Sequence, residues 1–166
     1  MDPTKSNVAW DAASFFKQLT ATNRFAQEHG FTFHRVSSLQ GFLDCLSKFQ
    51  TAKAIVAVSD ESEGQLSIDN SPHTRRIKTV FLAMRHKADS MEFRQARLDD
   101  MRELFRQFMS KLILEKTQLE EHNIYVDTDI QFTEISQYFF SGMACAFFQI
   151  VTSTFTDLQY NPDEWL

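Results

Sequence analysis

Apolar positions along this chain repeat with helical spacing in three places and with strand spacing between them. From Val8 to His29, the residues Trp10, Ala13, Phe16, Leu19 and Thr20 share a face, with Phe15 and Phe25 beside it, which predicts a first helix. Gly30 is placed to end it, because the residue after a helix commonly adopts the left-handed conformation. Phe31 to Val36 alternates as a short strand, with Phe31, Phe33 and Arg35 on one side. Ser38 then caps a second helix to about Gln50, on which Leu39, Phe42, Leu43, Leu46 and Phe49 form the buried stripe. Ala52 to Val58 has the continuous apolar centre of a strand covered on both faces.

A solvated acidic turn is expected from Ser59 to Gly64, a short strand from Gln65 to Asp69, and a second turn from Asn70 to Thr74. Arg76 to His86 is a clear strand, with Ile77, Thr79, Phe81 and Ala83 alternating against Lys78, Val80, Leu82 and Met84. Asp89 to Glu121 reads as one charged amphipathic helix. Its seam is Leu98, Met101, Phe105, Phe108 and Leu112, widened by Leu104, Met109 and Ile113. Its opposite face, carrying Arg94, Arg97, Asp99, Asp100, Arg102, Glu103 and Arg106, reads as solvated. The helix would span roughly 50 Å, so one end is expected to project or kink. Ile124 to Val126 is a brief strand. Ile130 to Tyr138 and Met143 to Phe155 form an antiparallel hairpin about a turn at Phe140 to Gly142.

This order predicts a single α+β domain over residues 1–166. Its sheet is mixed and mostly antiparallel, with about five or six strands packed on two or three helices. Composition sharpens the picture at one point: 17 Phe stand against 4 Gly and 3 Pro. Rings on that scale fill a core, an assembly surface, or both. The formal charge of −5 argues against a general nucleic-acid binder. Cys45 and Cys145 are far apart among apolar residues and read as reduced, buried thiols. The N-terminus lacks the apolar run of a signal peptide, and no stretch is apolar enough for a membrane span, so cytoplasmic synthesis is expected.

No nucleophile elbow, phosphate-binding loop, dinucleotide fingerprint or zinc-protease signature occurs, and the five His are scattered. The expectation is therefore no catalytic residue, no cofactor and no metal. The polar groups that stand out suggest a protein interface. Arg75 and Arg76 open the strong strand, and Arg85, His86 and Lys87 close it roughly 30 Å away, either as strand-end gatekeepers that discourage edge pairing or as contacts to an acidic neighbour. Asp60, Glu61 and Glu63 make an acidic loop that could meet such a basic cluster on another copy. Tyr160 and Trp165, near the end of the sequence, either fold back onto the core or dock on a partner.

In element order the chain resembles the small neck and tail-completion proteins of tailed bacteriophages, the tail terminators and head-tail joining proteins. The residues carrying the resemblance are Arg75 to Leu82, Ile130 to Ser136, Gly142 to Ile150, and Tyr160 to Trp165. The helix-strand unit Val8 to Val36 is an addition to the family pattern. The resemblance implies an α+β fold and a non-enzymatic ring, often hexameric, that caps the tail tube and joins it to the head connector. It implies no catalytic residues, and partners that are further copies, the tail tube and connector proteins. It also implies assembly in a bacterial host's cytoplasm and a place in the virion. The rival readings are a host-encoded adaptor module that binds a partner through the long helix or aromatic tail, and a small enzyme built from distant polar residues.

Overall fold

The computed structural model describes residues 9–48, 53–85, 91–140 and 143–166. The central elements are β4 (His73–Arg85) and β7 (Met143–Phe155), thirteen residues each, paired antiparallel along their whole length from His73↔Phe155 to Arg85↔Met143. On the other side of β4 lie β2 (Ala54–Ser59) and β3 (Glu63–Ser67), both antiparallel to it. On the other side of β7 lie β5 (Ile124–Val126) and β6 (Gln131–Phe140). β1 (Phe31–Val36) pairs parallel to β2 at one edge. A parallel neighbour requires a crossover, and α3 (Leu39–Lys48) supplies it.

The fold is thus α+β, with seven strands in one mixed, mostly antiparallel sheet among the described residues. The seven form five rows, because β2 with β3, and β5 with β6, are each one long strand interrupted by a bulge. Between Val58↔Val80 and Glu63↔Ile77, residues 59–62 oppose only 78–79. Between Val126↔Thr152 and Gln131↔Gln149, residues 127–130 oppose only 150–151. The two bulges flank the same rung, Lys78↔Ile150. The acidic turn expected at Ser59 to Gly64 is therefore shorter, since Glu63 and Gly64 already belong to β3.

Strand alternation sends β4 side chains to two layers. Val80, Leu82 and Met84 meet α1 (Ala12–Thr22), α2 (Arg24–Glu28) and α4 (Met91–Glu121) in the main core. Phe81 and Ala83 face the other way, and Phe81 stacks on Phe42 of α3 at 4.5 Å between ring centroids. All six residues of β2 are buried, as a strand covered on both faces requires.

The first helix is two helices. Asp11 caps α1 by accepting from the Ser14 N–H (3.0 Å) and hydroxyl, which holds its carboxyl below the usual carboxylate range. Asn23 interrupts the run: its side chain accepts from the Ala26 N–H at 2.7 Å and starts α2, while Trp10 lies before the helix. A polar side chain that caps a new helix here outweighs continuation of the old one. Gly30 has the expected positive φ of 73°. α4 is one continuous helix from Met91 to Glu121, and its packed residues extend from Leu98 to Leu119. Ile113 does not widen the seam; it is 66% exposed, beside Leu114.

Among the described Phe, the rings divide between core and surface. Phe16, Phe31, Phe42, Phe81, Phe108 and Phe148 are buried, whereas Phe93, Phe132 and Phe155 are exposed. Phe16 is the hub: its ring lies 5.8 Å from Phe108, 5.7 Å from Phe148 and 5.1 Å from Phe15. No described helix is long and apolar enough to cross a membrane. Phe16→Ala should cost about 3–5 kcal/mol of unfolding free energy, whereas Ile113→Ser should change it by less than about 0.5 kcal/mol. Urea unfolding followed by circular dichroism measures both, and comparable losses would refute this placement of the core.

Candidate functional site

Of the charged residues singled out above, β4 carries Arg75, Arg76 and Arg85, while Asp60 and Glu61 lie in the neighbouring bulge and Glu63 opens β3. At its first end Arg75 projects from the solvent-facing side and donates from Nη2 to Asp127 Oδ2 at 3.1 Å. That bond closes the bulge at 127–130 onto the sheet. Arg76, on the opposite side of the strand, donates to Thr154 Oγ1 at 3.4 Å. Arg75 and Asp127 are both nearly half exposed, so the pair fixes geometry more than it adds stability.

The other bulge is held from two directions. Arg35 on β1 reaches Asp60 Oδ1 at 2.7 Å. Lys78 donates from Nζ to the Asp60 carbonyl at 2.7 Å and the Ser59 carbonyl at 3.2 Å. Partial burial lowers the Lys78 pKa below the usual ammonium value, opposed by the nearby Asp60 carboxylate. Asp60 and Arg75 therefore each have partners within the chain. Glu61 and Glu63 are exposed and, with Ser38, Ile77, Thr79 and Gln149, border a shallow hollow of about 330 Å³ on the face that α3 leaves open.

At the far end of the ladder, Arg85 closes β4, its backbone N–H donating to the Lys53 carbonyl at 2.9 Å. Lys87 lies outside the described residues. Among the described residues, Arg85, Lys53, His29 and Arg97 line an open cleft of about 450 Å³ with Met84, Phe93 and Glu28, and the Asp100 carboxylate lies 3.8 Å from His29 Nε2. The Arg97 guanidinium lies 5.5 Å from the Phe93 ring centre and donates to Asp100 at 3.0 Å. Its buried Nε has no hydrogen-bond partner among the described residues. His29 is fixed by stacking on Phe25 at 3.9 Å and by its Nδ1 contact with the Phe25 carbonyl. Charge spacing along β4 points to Arg85 in the sequence. Lys53, His29 and Arg97 come from three other elements, and no sequence spacing reveals their convergence.

Tyr160 and Trp165 lie in the arm that follows β7, both about 70% exposed. Their rings stack at 6.4 Å across a single 3-10 turn, Pro162–Glu164, which Asn161 caps by accepting from the Asp163 N–H.

The α4 face read as solvated holds a further contact. Arg102 grips Glu134 of β6 with two hydrogen bonds of 2.7 Å and also reaches Asp99 at 2.6 Å. This raises the Arg102 pKa and holds the Glu134 carboxyl below its ordinary range. On the same face Arg106 and Gln107 donate to Glu103, whose pKa falls to about 2. The thiol of Cys145 is pushed up to about 12 by burial, which makes it a poor nucleophile. The side chain of Cys45 lies outside the description.

The chain matches no protein-family model, and no curated protein is significantly similar to it in sequence.

The Arg102–Glu134 pair predicts a defined pH dependence. Because the folded carboxyl is the stronger acid, the pair's contribution is complete above the unfolded pKa of about 4.3. It is lost as pH falls through the lower folded value. Arg102→Gln should therefore reduce unfolding free energy by roughly 0.5–1 kcal/mol at neutral pH, and the gap between wild type and variant should close as pH falls below the ordinary carboxylate range. Urea titrations across that range test this, and a gap that widens in acid would contradict it.

Proposed function

We infer that this chain is a non-enzymatic assembly protein of a tailed bacteriophage. It forms a ring that caps the tail tube and joins it to the head connector. It would assemble in the cytoplasm of a bacterial host and stay in the virion. The observation that carries the reading is the distribution of exposed apolar side chains. A closed ring requires two different, mutually complementary patches on each subunit, unlike the single self-complementary patch of a twofold dimer. Exposed apolar residues occur here in separate places: Tyr160 and Trp165 on the arm, Tyr125 and Phe155 on the open sheet face, and Ile113 and Leu114 on α4. A rigid sheet that presents distinct patches in different directions suits a subunit with two neighbours. The element order that resembles tail-completion proteins supports the same reading.

The exposed Ile113 and Leu114 pair also favours the second reading, an adaptor that holds a partner along α4. Light scattering coupled to size exclusion, across concentration and salt, separates the two. The expected result is conversion of the 19.3 kDa monomer to a closed species of about six copies as concentration rises. A monomer or dimer at every concentration would overturn the ring and favour the adaptor.

A further inference from the structure

We propose that α4 pairs antiparallel with α4 of a second copy, about a twofold axis that passes between Ile113 and Leu114. This goes beyond the ring reading and uses a different surface, leaving the arm and the open sheet face for other contacts. Placement on the helix is the first argument. Leu104, Phe108, Leu112 and Leu119 are buried in the main core. With 3.6 residues per turn, Arg106, Ser110, Ile113, Leu114, Thr117 and Glu121 share the opposite face, and all six are exposed. Ile113 and Leu114, 66% and 61% exposed, form a small apolar patch at the middle of that face.

The pattern around the patch selects a second copy as its occupant. Ser110 stands three residues before Ile113 and Thr117 three after Leu114, while Arg106 stands seven before and Glu121 seven after. A twofold antiparallel pair sets each residue opposite the one equally far beyond the centre. The apolar pair then meets its own image, and the small Ser110 and Thr117 let the helices approach. Arg106 of each copy comes opposite Glu121 of the other, about 11 Å from the axis. Charge favours this arrangement. α4 ends in Glu120 and Glu121 with no basic residue in its last turn, so both carboxylates sit at the negative end of the helix dipole. Lys116 engages Glu120, and Arg106 of the other copy would engage Glu121. Arg106 donates to its own Glu103 from Nε and Nη2, which leaves Nη1 for a second carboxylate. From Glu103 to Glu121 four carboxylates, with Glu115 the fourth, stand against Arg106, Lys111 and Lys116, so two copies meet without a strong field of one sign. The facing stretch is only about 24 Å of helix, too small a face for the roughly 800 Å² per partner of a stable interface. The dimer is therefore weak and concentration-dependent.

Sedimentation equilibrium of the full chain, from about 1 μM to about 1 mM, tests this. Wild type should show a monomer–dimer step, and Ile113→Ser/Leu114→Ser should weaken it by about tenfold or more. Arg106→Glu and Glu121→Arg should each weaken it by about threefold or more, because each sets like charges together twice per dimer. An equimolar mixture of those two variants should dimerise about as tightly as wild type, because every 106–121 contact then joins opposite charges. Added salt should narrow these differences. Unchanged thermal unfolding checks that each variant is folded; if Arg106→Glu is not, Glu121→Arg and the serine pair carry the test. A chain that is monomeric throughout, a dimer indifferent to these substitutions, or a mixture no tighter than its components would overturn the α4 pair. If wild type forms rings and the serine pair forms them equally well with no dimer step lost, the α4 pair falls and the assembly reading stands. Dimers that depend on α4 and never close would support the pair and overturn the ring.

Discussion

The fold depends on the β4–β7 ladder. Thirteen residues of each strand pair without a break, and nearly every other element is placed by reference to them. Such a ladder can be buried on both faces only where its residues are apolar in both alternating sets. That holds from Val80 to Met84 and from Met143 to Phe148, and there the helices lie on both sides. Toward His73 and Phe155 the alternation becomes half polar, α3 no longer covers the second face, and Arg75, Thr79 and Gln149 take over the surface. The same two strands thus provide a core at one end and an open surface at the other.

The twin bulges follow from the same constraint. Each flanking strand must follow the central pair along its length, yet beside the Lys78↔Ile150 rung each carries two residues more than the segment it faces. The extra residues loop out at one shared rung, and a cation of β4 ties each down: Lys78 through the carbonyls of 59–60, and Arg75 through Asp127. Charges that look like loose surface patches in the sequence therefore act mainly as local fasteners. In a sheet with irregular flanks, fixing the bulge fixes the register beyond it.

The long periodic segments were legible before any coordinates. The seam of α4, the alternation of β4, the all-buried β2 and the α+β order follow from spacing alone, because burial of one face dictates spacing. The misreadings have physical causes. Asn23 divides the first helix by capping, which outcompetes continuation without changing the apolar period. Ile113 fits the helical stripe in number, but the sheet beneath it does not extend that far around the helix. Glu63 and Gly64 are polar and turn-like, yet pairing with Ile77 and Arg76 draws them into the sheet. Of the candidate site residues, charge along β4 and the aromatic tail single out Arg85, Tyr160 and Trp165 in the sequence. Convergence of Lys53, His29 and Arg97 on one cleft is a tertiary event, as is the grip of Arg102 on Glu134.

A continuous ladder with a covered core at one end and an open surface at the other implies a rigid centre to the sheet. Native-state amide hydrogen exchange tests that rigidity most directly. Amides of Val80 to Met84 and of Ala144 to Ile150 should exchange last, only through global unfolding, with β1, α3 and the 157–166 arm opening at lower free energy. Exchange of the β4–β7 amides before those of α4 or β1 would contradict the account, because the two ends would then no longer be held apart by a single unyielding pair of strands.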